Sequence, residues 1–377
     1  MLPLLPALIL AAASLADPQP PWRRMPPEAR TAAPDAADHV ATVAVGHGRS
    51  IERRDVVMRS GGWIRGERTA GGRTTIHHSH LGSGTSFSYV RGAGGGIDAI
   101  RVARDAAATP YYRMHRAPTG RSARGRGEAC RWWRTTDVGA LTSSEWLSCE
   151  TRDGIQLRIR ELWRNSGDLL QDSRATTVAR RRVPREEIRP PVDFFAIGSF
   201  PDGQAWTEPG PDYRVVLESG SARGGGRGRQ VIQRRGAFRS NDFQDEDGGR
   251  RLALGNGAFT IFYEEEPGGR PISLRVNRMP DEHILVIGGE WVPLEGRAPE
   301  TILGETCRWM RSTVTMSHYR RIECTTEDGL VLQTDEQSMA GHSVYRATSI
   351  SRQRLSPADF RLPERALSLS GWGVTSD

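Results

Sequence analysis

The chain is predicted to be a mostly β protein of two tandem antiparallel modules with little helix. Three observations predict it. Landmark residues recur in the same order in both halves, short alternating apolar runs are punctuated by Gly and Pro, and no amphipathic run exceeds two helical turns. At 377 residues, the chain exceeds one ordinary domain, so two cores of about 100–200 residues each are expected.

From the N-terminus, Met1 to Ala13 form a short apolar core, and Ser14-Leu15-Ala16 supply a small-x-Ala end. This is a signal-peptide pattern over 1–16 and implies a periplasmic or secreted protein. Residues 17–54, whose first part is rich in Pro, Ala and charge, read as a leader or linker. A first module is expected over 55–191, a second over 212–363, and a tail over 364–377. The connection between the modules contains Gly203, Pro209, Gly210 and Pro211. No internal apolar run approaches the roughly 18–20 residues needed to cross a bilayer as a helix.

The repeat carries the module boundaries. GEACRWW around Cys130 answers GETCRWM around Cys307, and CETRDGIQL from Cys149 answers CTTEDGLVL from Cys324. Ile100 to Arg104 answers Leu274 to Arg278, Val56 to Gly61 answers Val215 to Gly220, and Ile188-Arg189-Pro190-Pro191 answers Phe360-Arg361-Leu362-Pro363. Within each copy the elements read as strands. Ser86–Val90 and Ile97–Val102 alternate on either side of the Gly92–Gly96 run, as Ala258–Phe262 and Pro271–Val276 do around Glu266-Pro267-Gly268-Gly269. A strand bearing Cys130 or Cys307 follows, then one bearing Cys149 or Cys324 that ends in Asp153-Gly154 or Asp328-Gly329. Asp-Gly is a hairpin signal because Gly accepts positive φ. Strands at Gln156–Trp163 and near Ala175–Val183 complete the first meander.

Four Cys in an exported chain, one pair per copy, read as structural disulfides. Because the two Cys strands are consecutive antiparallel neighbours, Cys130–Cys149 and Cys307–Cys324 can each close locally, at about 3 kcal/mol apiece in the chain-entropy account. A metal site would want a C-x2-C spacing that is absent. Trp132 and Trp309 fall two residues beyond Cys130 and Cys307, on the face of the sulfur, where they either pack the core or line an apolar pocket.

Other groups were weighed for chemistry. His78 and His80 would share one strand face with His77 opposite, an H-x-H grip that leaves open a metal-dependent hydrolase. The second copy has no equivalent, and a polar strand surface explains the cluster. Glu128/Glu305 and Asp153/Asp328 could form acid/base pairs, but the turn accounts for the Asp. The Gly-rich stretches at 92–96 and 223–228 lack a phosphate-loop pattern and read as hairpin loops. The Arg/Gly run Arg223–Arg229 resembles RNA-binding segments, yet export argues against a nucleic-acid partner. The net charge is +7 and all 52 basic residues are Arg, which favours phosphate or carboxylate surfaces through the guanidinium fork.

The order of a VVMRSGG strand, two hairpins, a G-E-x-C-x-W strand, a D-G hairpin and a closing Phe360-Arg361-Leu362-Pro363 resembles the bacterial lipoprotein-localisation carrier superfamily. The resemblance implies curved, open half-barrel-like sheets folded over helices, with acyl chains held in the concavity. The Cys pairs and the doubling of the module depart from that pattern. The GE-x-C-x-W and C-x-T-x-D-G pattern is also similar to uncharacterised exported proteins of GC-rich alphaproteobacteria. The resulting expectation is a non-enzymatic envelope protein without cofactor or metal. It binds a lipid-like ligand near Trp132 and Trp309, or alternatively another envelope protein through filled cores.

Overall fold

Side chains alternate between buried and half-buried with a period of two along Thr85–Arg91, the pattern a strand with one covered face requires. The computed structural model describes residues 36–196 and 212–374, apart from 48–49, 71–72, 93–94, 105–113, 138–143, 221–227, 237, 256–258, 279–290, 314–319 and 339–340. The expected signal peptide, most of the leader and the Gly203–Pro211 connection lie outside the described residues. Two compact units emerge. One holds the described residues up to 196 together with those from Ser368 onward, and the other holds those from 212 to Leu367.

The first unit is built from β1 (His39–His47), β2 (Ser50–Ser60), β3 (Trp63–Ala70), β4 (Arg73–His80), β5 (Thr85–Arg91), β6 (Ile97–Arg104), β7 (Met114–Gly125), β8 (Glu128–Asp137), β9 (Ser144–Glu150), β10 (Gln156–Trp163) and β11 (Leu169–Ala179). Every pairing is antiparallel, in the order β6-β5-β4-β3-β2-β1-β11-β10-β9-β8-β7. The second unit has β12 (Asp212–Gly220), β13 (Gly228–Arg235), β14 (Phe238–Asp245), β15 (Arg250–Gly255), β16 (Phe259–Glu265), β17 (Pro271–Arg278), β18 (Trp291–Pro293), β19 (Glu300–Ile302), β20 (Glu305–Ser312), β21 (Arg320–Thr325), β22 (Val331–Ser338) and β23 (Gly341–Ser351). Its order, β17-β16-β15-β14-β13-β12-β23-β22-β21-β20 with β18 and β19 both on β20, repeats the first. β18 and β19 do the work of the single long β7. The sheets are open and not closed into barrels.

Three expected boundaries change. β1 lies inside the supposed leader, and it is a central strand flanked by β2 and by the distant β11. Its alternation is plain in Ala41, Val43 and Val45, all buried, but half of its hydrogen bonds are non-local. For the same reason Val56–Gly61 is one strand out of register with Val215–Gly220. The latter lies in β12, whose double pairing makes it the counterpart of β1, while β2 corresponds to β13. The first unit also runs past 191, since Phe194 is buried, and the supposed tail buries Ala366, Trp372 and Val374. Thr85 Oγ1 donates to the Trp372 carbonyl at 2.9 Å. Short 3-10 turns carry no periodic signal by which a sequence could reveal such packing.

The Asp-Gly hairpins share one construction. Thr151 N donates to the Ile155 carbonyl and Thr326 N to the Leu330 carbonyl, both at 2.9 Å, with Gly154 at φ 79° and Gly329 at φ 86°. The Thr hydroxyl of each turn also donates to the Asp carboxylate.

Candidate functional site

One apolar face of each sheet is covered by the chain's own following segment. In the first unit, Pro184 starts a single helical turn, α1 (Arg185–Ile188), that buries Ile188. Phe194 then sits edge-on to Phe87 at 5.8 Å and to Tyr89 at 5.9 Å, and Phe195 stands edge-on to Phe87 at 6.5 Å. In the second unit a 3-10 turn at Pro357–Phe360, with the reciprocal Ser356 and Asp359 cap, places Phe360 against Phe238 at 6.1 Å. A further turn at Glu364–Leu367 buries Ala366. These straps cover the sheets at β5 and β14, and not at the Cys strands β8 and β20 where Trp132 and Trp309 were expected to line a ligand pocket.

His78 belongs to the strap contact. Its Nδ1 lies 2.8 Å from the Ile188 carbonyl oxygen, which only accepts, so Nδ1 carries the proton and donates. The ring stacks on Tyr89 at 5.8 Å, and its Nε2 is buried without a hydrogen-bond partner. Burial drives the His78 pKa down to about 3 against the opposing pull of that carbonyl bond. Register makes Ile76 and His78 the counterparts of Leu252 and Leu254, because Tyr89 and Tyr263 pair with Ile76 and Leu252. His78 thus occupies a position that is Leu in the other copy. Burial also lowers the pKa of His77, to about 4, with Arg68 and Arg101 adding to the effect. His80 Nδ1 accepts from Ser83 N at 3.1 Å, and Trp63 lies 4.9 Å from the His80 ring. Among the described residues no three His, Cys, Asp or Glu side chains converge as a metal site.

The shared acids are held by an Arg in each unit. Arg180 donates to Asp153 Oδ2 at 2.7 Å and to both Glu128 oxygens. Arg352 donates to both Glu305 oxygens at 3.1 and 3.0 Å and to Asp328. Hydrogen bonds from Arg180 hold Asp153 and Glu128 below the usual carboxylate range. These acids tie the β8 or β20 start to the Asp-Gly turn and to the end of the last strand.

The disulfides are Cys130–Cys149 and Cys307–Cys324, with Cα separations of 5.4 and 5.3 Å. Trp132 lies opposite Cys149 and Trp309 opposite Cys324 in the ladders. Trp309 is buried in a core with Cys307, Cys324, Val215, Leu217 and Ile232, and the Arg297 guanidinium lies 3.2 Å from its ring centroid. Trp132 is half-buried against the Cys130 core, with Arg160 at 5.5 Å from its ring. Beside it Arg158, Arg160 and Arg174 converge on the buried carboxylate of Asp172, at 2.5, 3.9 and 2.6 Å. Burial would raise the Asp172 pKa, but the hydrogen bonds from Arg158 and Arg174 outweigh it and the pKa is lowered.

The Gly92–Gly96 loop is a hairpin turn closed by Gly92 N donating to the Gly96 carbonyl at 3.0 Å, whereas Arg223–Arg227 lies outside the described residues. One charged cleft escaped the sequence reading. It has a volume of about 300 Å³ in the second unit and is lined by Arg229, Val231, Asp242, Gln244, Arg250 and Glu265, with Gly248 at its rim. These residues come from four successive strands, so only cross-strand register brings them together, and no motif marks them.

No family model and no curated protein matches the chain. Among solved structures, the crystal structure of MucB is similar at 13% identity and a TM-score of 0.24, covering 67% of this chain and 91% of that one. The Pseudomonas aeruginosa MucA/MucB complex is similar at 14% identity and a TM-score of 0.21, covering 67% and 90%. An uncharacterized conserved protein from Thermus thermophilus is similar at 12% identity and a TM-score of 0.24, covering 42% and 88%. Similarities of this size transfer no partner, ligand or residue role.

Proposed function

We propose that the chain is a non-enzymatic binding protein of an oxidising, extracytoplasmic compartment, whose two strapped sheets serve as rigid scaffolds for recognising an acidic protein partner. The observation that carries the reading is the covering of an apolar face in each unit by the chain's own aromatic strap, Phe194 in one and Phe360 in the other. A lipid-like guest on either strapped face would have to displace side chains that are themselves core. The two disulfides support the compartment, since such bonds persist where thiols are not kept reduced. The groups that invited a catalytic reading have structural work: His78 holds the strap, and the shared acids clamp a turn.

The acidity of the partner follows from the Asp172 cluster. Three guanidinium groups surround one carboxylate there, and Arg160 also lies over the half-buried ring of Trp132, a pairing of Arg and aromatic suited to carboxylate-rich surfaces. The test has two arms. A fluorescent fatty acid titrated into the full-length protein should show no saturable binding, and stoichiometric binding would restore the carrier reading. A photo-crosslinking residue at Arg134, whose side chain is 55% exposed, should trap one discrete protein adduct in the native host. Arg174→Glu should abolish that adduct, and an adduct indifferent to charge reversal would refute recognition through this face.

A further inference from the structure

The charged cleft of the second unit is built unlike its counterpart in the first. At its floor Arg250 is gripped by Asp242 through two hydrogen bonds of 2.8 Å and lies 3.8 Å from Glu265. Glu265, itself buried, accepts from Tyr263 Oη at 2.8 Å and from Arg365 at 3.1 and 2.6 Å. Each carboxylate therefore already accepts from a guanidinium. At the cleft wall Arg229 is exposed, and among the described residues it has no hydrogen-bond or ion-pair partner. Glu218, its register partner on β12, neither lines the cleft nor pairs with it. Gln244, the register partner of Arg229 on β14, presents an exposed amide beside it.

The charged donor left open in the cleft is thus the Arg229 guanidinium, with the Gln244 amide beside it. Of the charged groups lining the cleft, Arg250 is held by Asp242, and Glu265 is held by Arg365, which lies outside the lining, so Arg229 is the lining charge without a partner among the described residues. A planar fork with one uncompensated charge matches a monoanionic carboxylate, while a dianionic phosphate would meet the two fixed acids. The volume of about 300 Å³ suits a small organic acid or the last residue of a peptide. In the first unit, register puts Thr74 and Arg91 where Arg250 and Glu265 stand, and Arg91 is spent on the Gly95 carbonyl of its own hairpin at 2.9 Å. The arrangement is particular to the second copy.

We propose that the cleft formed by β13, β14, β15 and β16 is a binding site for a monoanionic carboxylate, with Arg229 as its primary contact, Gln244 as a second donor and the Asp242-Arg250-Glu265-Arg365 network as its preorganised floor. This site does not depend on the partner reading above. It is tested on the full-length, disulfide-bonded protein by isothermal titration and ligand-observed NMR with N-acetylglycine and its neutral analogue N-acetylglycinamide. The acid should bind saturably and the amide at least about tenfold more weakly, the factor expected for losing one charge-assisted contact. Arg229→Gln should weaken the acid by a similar factor, and Arg54→Gln, the register-equivalent change in the first unit, should leave it unaltered. Equal binding of acid and amide, or an unchanged affinity in Arg229→Gln, would overturn the site. Inorganic phosphate at pH 8 binding more tightly than N-acetylglycine would overturn the monoanion assignment. Acetate competing as strongly as N-acetylglycine identifies a free small acid as the source, and a clear preference for N-acetylglycine identifies a chain terminus; both support the carboxylate class.

Discussion

His78 and Leu303 make opposite points about single residues. His78 is folded with a pKa of about 3, while in the unfolded chain it titrates near ~6.5. Between those values the unfolded state binds a proton that the folded state refuses. The stability of the first unit is therefore full above about pH 6.5 and falls as pH drops toward 3, by at most about 1.4 kcal/mol per pH unit for this one group. His78→Leu copies the Leu254 of the other unit and should remove that contribution. Because burial lowers His39 and His77 too, the slope between pH 6.5 and 5 should fall without vanishing, as read from urea midpoints. An unaltered slope would place the proton uptake elsewhere. Leu303 sits at φ 51° before Gly304 at φ 83°, in the two-residue hairpin joining β19 and β20, and its side chain is exposed. A branched apolar residue gains nothing there and costs about 1 kcal/mol against Asn, which tolerates the left-handed region. Leu303→Asn should raise the melting temperature of the second unit, and a fall in calorimetry would mean that the exposed Leu makes a contact worth more than the strain.

The straps decide at the level of elements whether each unit is a closed scaffold or an open cup. Phe194 is buried against Phe87 and Tyr89, so Phe194→Ala should cost the first unit about 3–5 kcal/mol, as removal of a core aromatic does. A loss under about 1 kcal/mol in chemical denaturation would instead describe a lid that leaves its sheet readily. The disulfide strands obey a different logic. Each bridge closes a local loop, with sequence separations of 19 and 17, and replacing one pair by Ala should cost that unit about 3 kcal/mol through its unfolded ensemble. The other unit's transition should move little, because distant sites act additively. The Cys strands, the Asp-Gly turns and the hairpins around Gly92–Gly96 and Glu266–Gly269 were legible in the sequence, since each rests on alternation and a turn residue within a few positions. β1 was not, because its neighbours β2 and β11 come from opposite ends of the unit.

Taken whole, the molecule sets the limits of each unit differently from the repeat. A fragment spanning 55–191 lacks β1 and Phe194 and breaks the sheet between β2 and β11, so it should fail to fold in an oxidising compartment. A fragment of 198–367 retains β12 through β23 with its strap and disulfide, and should give a cooperative transition and dispersed NMR spectra of its own. Soluble, protease-resistant 55–191 would show that the central strand is dispensable. The sequence alone determined that the chain is β-rich, that its strand pattern occurs twice, and which landmarks recur, because strand alternation, turn chemistry and tandem similarity are local or periodic properties. Only the tertiary structure decided that straps fill the apolar faces, that Arg180 and Arg352 clamp the repeated acids, and that four strands gather the Arg229 cleft. Those outcomes depend on cross-strand register and on turns too short to be periodic, and neither leaves a trace in the linear order of residues.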